Sequence, residues 1–115
     1  MNVSITDIFN FLLIMNWKGN RMEIRDKIKL IADTYGYDEQ SRQCIEEMAE
    51  LTQAINKFWR KDLKCGQLTI LEVPVGSLCE KKLVEEIAGV QIMLWQMEYL
   101  LNADVSTIIE QKFDR

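Results

Sequence analysis

From Ser77 to Asn102 the chain carries apolar residues on two helical stripes at once. Val84, Ile87, Leu94 and Leu101, with Gln91 among them, form one; Leu83, Val90, Met93, Met97 and Leu100 form the other. A helix that is apolar around most of its circumference has to be enclosed on several sides. A chain of 115 residues with two long helices and three short ones can hardly enclose it alone. The expected fold is all-α: a helical bundle of about five helices per chain, completed by oligomerisation. A two-fold homodimer is the simplest assembly, and a homotetramer is the next.

The other helices follow from caps and breaks. Ser77-Leu78-Cys79-Glu80 is a capping box that opens the long helix, and Asp104 opens a last one through Ile108, Ile109 and Lys112. Asp38 is expected to cap a helix from about Glu39 to Asp62, with Ile45, Met48, Leu51, Ile55 and Phe58 as its apolar stripe. Ahead of it, Asn20 and Glu23 offer a helix start; Ile24, Ile28 and Ile31 recur at helical spacing until Tyr35-Gly36, where glycine can take a left-handed cap conformation. Lys64 to Gly76 breaks the pattern with two glycines, the single proline Pro74 and β-branched residues, and reads as an extended loop rather than a hairpin.

Residues 1–21 read as a helical extension to a domain over 22–115, with Ser4 to Asp7 as a cap and a short apolar helix to Met15. The run Ile8 to Met15 is too short to span a bilayer and is interrupted by Asn10. No basic residue precedes it, as a secretory signal would require. It is expected to dock on the domain or on a partner subunit, with no membrane contact. The three cysteines, Cys44, Cys65 and Cys79, are odd in number and form no CxxC pair. They are read as plain thiols in a reducing cytoplasm.

Composition narrows the chemistry. The formal charge is −4, from 14 basic and 18 acidic side chains, so a polymeric nucleic acid is not an expected partner. Histidine is absent, which removes imidazole bases, Ser-His-Asp arrangements and His-ligated zinc. Carboxylates, lysines, arginines, hydroxyls, thiols or a hard metal ion must carry any reaction.

The carboxylates cluster. Glu46, Glu47 and Glu50 share one helix, and Glu85 and Glu86 share another. Spacings of three and four residues set Glu50 on one face with Glu46 and with Glu47. Glu86 falls on the stripe of Leu83, Val90, Met93 and Met97, so a core-facing helix carries it inward. An ionised carboxylate there must protonate or find a cation. Two facing helices can offer Glu47, Glu50 and Glu86 to one hard divalent ion, and Mg²⁺ suits oxygen ligands with retained waters and a phosphate substrate.

Glu46-Glu47-Met48-Ala49-Glu50 followed by Glu85-Glu86-Ile87-Ala88-Gly89 resembles the paired EExxE and EExxD signature of MazG-like, all-α nucleoside triphosphate pyrophosphohydrolases. The flanking Leu51-Thr52-Gln53-Ala54-Ile55 and Val90-Gln91-Ile92-Met93-Leu94 are similar too, and the likeness covers roughly residues 24–115. It implies a Mg²⁺-dependent cleavage of a nucleoside triphosphate between the α and β phosphates, giving a monophosphate and pyrophosphate. Carried over by position, Glu47, Glu50 and Glu86 would be metal ligands, Glu46 and Glu85 would support them, and Glu46, Glu47 or Glu50 would accept a proton from water. Lys57, Arg60, Lys61 and Lys112 are candidate phosphate contacts, as is Arg115; Trp59, Trp95 and Tyr99 are better read as packing than as base-stacking residues.

One position departs from the signature: its final aspartate is Gly89 here. Three readings stay open. The remaining glutamates suffice with water in the vacant position; the protein binds nucleotides without efficient turnover; or the glycine is a substitution peculiar to this chain. The alternative to an enzyme is thus a non-catalytic nucleotide-binding or protein-interaction helical module.

Overall fold

The computed structural model describes residues 23–114. The expected helix at the N-terminus, the Asn20 start and Arg115 lie outside them. Among the described residues the fold is all-α, with no strand: α1 (Ile24–Lys61), a 3₁₀ turn (Ile70–Glu72), α2 (Leu78–Leu101) and α3 (Val105–Phe113). The two helices expected on either side of Gly36 run together as α1, with a kink at that glycine, whose φ of 79° and ψ of 174° are non-helical. A side chain there would be strained by the positive φ. Helical geometry resumes immediately after the kink, so Asp38 lies inside the helix rather than capping it.

The caps behave as their side chains dictate. The Ser77 hydroxyl accepts from the Glu80 N–H at 3.1 Å and donates to Asp62 Oδ2. The Asp104 carboxylate accepts from the Thr107 N–H at 3.2 Å and from its hydroxyl at 2.6 Å. Lys64–Gly76 is a turn-rich connection, with positive φ at Lys64, Cys65, Gly66 and Gly76. Its 3₁₀ turn is closed by Glu72, which accepts from both the N–H and the hydroxyl of Thr69.

The described residues divide into two compact units, one made of those up to Gln43 with those from Ile92 onward, the other of Cys44–Gln91. In the first, Ile28, Ile31, Ala32 and Met93 are buried together with the amides of Gln40, Gln43 and Gln96. The Gln40 amide donates to Gln96 Oε1. In the second, Cys44, Ala54, Phe58, Val73 and Val90 are buried together with Glu47 and Glu86.

The buried face of α1 in the second unit is a correction to the expected stripe. Of that stripe Phe58 is buried and Leu51 half-buried, but Ile45, Met48 and Ile55 are about half exposed, and Cys44, Glu47 and Ala54 take the inward positions instead. On α2 the stripe of Leu83, Val90, Met93, Met97 and Leu100 is buried or half-buried, and Val84, Ile87, Leu94 and Leu101 are exposed. Trp59, Trp95 and Tyr99 are exposed in the single chain, which leaves packing at an interface, rather than in the core, as the expectation for them. The three thiols are free, with Cys44 buried, Cys79 half-buried and Cys65 exposed. No helix among the described residues is long and apolar enough to cross a membrane.

Candidate metal centre

All three carboxylates that form the centre belong to the Cys44–Gln91 unit. On α1, Glu47 and Glu50 are one turn apart and rise from the same side of the helix. On α2, Glu86 sits on the inward stripe, between Leu83 and Val90. One carboxylate oxygen from each of Glu47, Glu50 and Glu86 lies within 4.8 Å of the other two. Glu47 is 5% exposed and Glu86 6%, while Glu50 reaches in from an exposed position.

This donor set fits a hard divalent ion. Mg²⁺ takes oxygen ligands at about 2.0–2.1 Å, so its oxygens stand about 3 Å apart on adjacent positions of the octahedron and about 4 Å apart across it. Oxygens within 4.8 Å of one another would have to draw together around the ion, a movement that rotation of the three flexible glutamate side chains can supply. The electrostatics point the same way. The Glu50 carboxyl is held above the usual glutamate range, first by desolvation and then by the charge of Glu86 and a hydrogen bond with it; Glu46 adds to the rise, and Lys82 opposes it. Carboxylates this close cannot all ionise cheaply without a cation among them.

A cation is already there. Lys82 Nζ stands 2.7 Å from Glu86 Oε1, one turn before it on α2. The lysine's own pKa is raised, by the hydrogen bond to Glu86 first and by the charge of Glu86, Glu85 and Glu50 as well. Sequence reasoning passed over Lys82. The i,i+4 spacing to Glu86 was the signal that could have found it, although a lysine placed before its glutamate is the weaker orientation for a helical pair.

The remaining site candidates separate. Glu46 and Glu85 are exposed and are not members of the three-carboxylate cluster. Lys57 and Lys82 line one cleft of about 280 Å³ with Ala54, Leu78 and Cys79. Arg60 lines a different groove, with Gln53, Asn56 and Trp59. Lys61 is exposed at the end of α1, and Lys112 is exposed on α3 in the other unit. Trp95 and Tyr99 belong to that other unit too, lining a cleft with Arg25 and Lys29, and the Tyr99 hydroxyl donates to the Asp33 carboxylate at 2.9 Å. Gly89 is buried one turn after Glu86.

Comparison with protein-family models, with curated proteins and with solved structures finds no match to this chain.

Proposed function

We propose that the protein is a Mg²⁺-dependent nucleoside triphosphate pyrophosphohydrolase of the MazG-like kind, releasing a nucleoside monophosphate and pyrophosphate. The observation that carries the reading is the meeting of Glu47, Glu50 and Glu86, two of them buried, from two helices at one point. An acidic cluster on a solvated face would need no explanation; buried carboxylates one turn and one helix apart do.

When bound, Mg²⁺ would neutralise phosphate charge and polarise the α-phosphorus centre. Glu47, Glu50 and Glu86 would hold the ion. One of Glu46, Glu47 and Glu50 would take the proton of the attacking water; of the three, Glu46 lies outside the triad. Water oxygen bonds to the α-phosphorus, and the bridging oxygen departs with pyrophosphate. Lys57 would contact the phosphates, since it lines one cleft with Lys82, the partner of Glu86; Arg60, Lys61 and Lys112 are not among the residues of that cleft.

The reading includes an assembly. Ile45, Met48 and Ile55 on α1 and Val84 and Ile87 on α2 leave the Cys44–Gln91 unit with an exposed apolar face. A second copy covering it makes a homodimer, or a homotetramer by repetition, in the cytoplasm. Each chain then contributes its helices to a common bundle.

The test is pyrophosphate release from a panel of nucleoside triphosphates with Mg²⁺. Glu50→Gln is expected to lower kcat/KM by at least about 100-fold, since even residues supporting a metal ligand cost 10–100-fold. Full activity in that variant would sink the proposal. Gly89 is the specific observation that favours the second reading, a nucleotide-binding module without turnover. That reading predicts no pyrophosphate from the native chain and its appearance in Gly89→Asp.

A further inference from the structure

We propose that Lys82 is a built-in counter-ion of the metal centre that exchanges roles on loading: it leaves Glu86 to the divalent ion and binds the pyrophosphate end of the substrate in the cleft it shares with Lys57. The inference rests on the metal reading above and adds the residues that hold the leaving group.

Glu86 is almost wholly buried, yet its Oε1 is held at 2.7 Å by an ammonium whose own side chain is 62% exposed. The lysine therefore reaches from solvent into the centre and satisfies a carboxylate that would otherwise be buried with other carboxylates. A divalent ion on the same carboxylate competes with that ammonium, because two cations at one oxygen repel strongly at short range in a poorly solvated site. Lysine suits such an exchange. Its charge sits at the end of a flexible four-carbon stem and is not committed to a planar, two-pronged geometry as arginine's is.

The cleft gives the released ammonium somewhere to go. It is about 280 Å³ in volume and is lined by Ala54, Lys57, Leu78, Cys79 and Lys82. Among the described residues, no acidic side chain lines it. Two ammonium groups over a small apolar floor favour a compact polyanion, and charge-assisted hydrogen bonds from lysine to phosphate are among the stronger kind. The start of α2 beside it adds little. The Ser77 cap already ties that end to the Asp62 carboxylate, so the positive potential of the cleft comes from the two lysines. Because Lys82 is shared between centre and cleft, loading of the two sites is coupled. The ion releases the lysine, and the lysine then completes the anion site.

The experiment is isothermal titration of the full chain with Mg²⁺ alone, and with inorganic pyrophosphate at saturating Mg²⁺, in the native protein, Lys82→Met, Lys57→Met and Glu50→Gln. Lys82→Met is expected to move the two affinities in opposite directions. Mg²⁺ binds more tightly because its competitor is gone, and pyrophosphate binds about tenfold more weakly, the scale of one charge-assisted hydrogen bond. Lys57→Met is expected to weaken pyrophosphate alone. A salt bridge with a merely structural role would lower both affinities or neither in Lys82→Met, and either result overturns the proposal. Should Lys82→Met fail to fold with Glu86 unpaired, Lys57→Met decides: unchanged pyrophosphate affinity overturns the cleft. Glu50→Gln separates the two levels. If it leaves Mg²⁺ affinity intact the metal reading fails and takes the exchange with it. If it abolishes Mg²⁺ binding while Lys82→Met leaves pyrophosphate untouched, the metal reading stands and the exchange alone is lost.

Discussion

Each of the two units buries polar side chains between helices, but of different kinds. In the unit formed by the chain up to Gln43 and from Ile92, the buried pair is Gln40 with Gln96, neither of them exposed at all. One amide donates to the other, leaving Gln40 Oε1 and Gln96 Nε2 without a partner. In the Cys44–Gln91 unit the buried groups are Glu47 and Glu86, with Glu50 beside them. Two amides contain both halves of a hydrogen bond and need no third party to coexist. Carboxylates contain only acceptors when ionised, so a group of them coexists only with protons or cations. Both arrangements are polar and buried; only the charged one needs a proton or a cation beside it, and Lys82 supplies one positive charge to Glu86. Charge, more than polarity, is what distinguishes a candidate centre from a polar core.

The sharpest way to break that contrast is to supply the cation. Mg²⁺ at about 100 times its dissociation constant should stabilise the native protein by about 2.7 kcal/mol, a rise in Tm on the order of 10 °C for a domain of this size. Glu86→Gln should lose the whole of that response, while variants of Gln40 or Gln96 should keep it. A melt that ignores Mg²⁺, or one whose response survives Glu86→Gln, removes the distinction between the two units.

A smaller effect tests the other half. Gln40→Leu alone removes one amide and leaves the second buried with neither half of its hydrogen bond. The cost is expected at about 1–3 kcal/mol, the penalty for an unsatisfied buried polar group. The double variant with Gln96→Leu should recover most of it, since replacing both partners by apolar groups of similar size is near neutral. Denaturant titration of the two single variants and the double one measures the coupling directly. Simple additivity would mean that the pair is not a unit and that the comparison with the carboxylates is misplaced.

Much of this was legible in the sequence, for identifiable reasons. Gly36, Ser77 and Asp104 act locally, through backbone freedom or a side-chain cap, and local chemistry can be read from a few neighbouring residues. So could the inward position of Glu86, because its stripe of Leu83, Val90, Met93 and Met97 is the one that turns inward. The face of α1 was read correctly at Phe58 but misread before it, because Ile45, Met48 and Ile55 match helical spacing as well as Cys44, Glu47 and Ala54 do; the pairing with α2, which no local pattern contains, chose between them. Asp38 was misread for a related reason. Gly36 is the one non-helical residue between the two segments of α1, so the second segment begins directly after it and Asp38 already has helical geometry, too late in the chain to be the cap. Lys82 escaped notice because its value depends on Glu86 being buried, a fact about packing.

The smallest expected effect is in acid, where two carboxylates should respond with opposite signs. The Asp104 carboxyl lies below the usual aspartate range because the hydroxyl and then the N–H of Thr107 donate to it. A depressed native pKa means that the unfolded chain binds the proton more readily. Its stabilising contribution is therefore present above about pH 3.9, the ordinary aspartate value, and is lost as pH falls through the lower native one. Glu50 is raised, by desolvation and by Glu86, so the native state holds its proton more tightly than the unfolded chain does. Its contribution is a penalty, complete above the raised native pKa and relieved as pH falls toward the unfolded value of about 4.3. In metal-free buffer Asp104→Ala should melt slightly below the native protein at neutral pH, with the gap closing only in strong acid. Glu50→Gln should melt slightly above it, with the gap closing earlier on the way down. Melting curves from pH 7 to 3 read both. If Glu50→Gln instead melts below the native protein at neutral pH without metal, Lys82 and the neighbouring groups already satisfy the cluster, and the carboxylates no longer differ from the amides in needing a ligand.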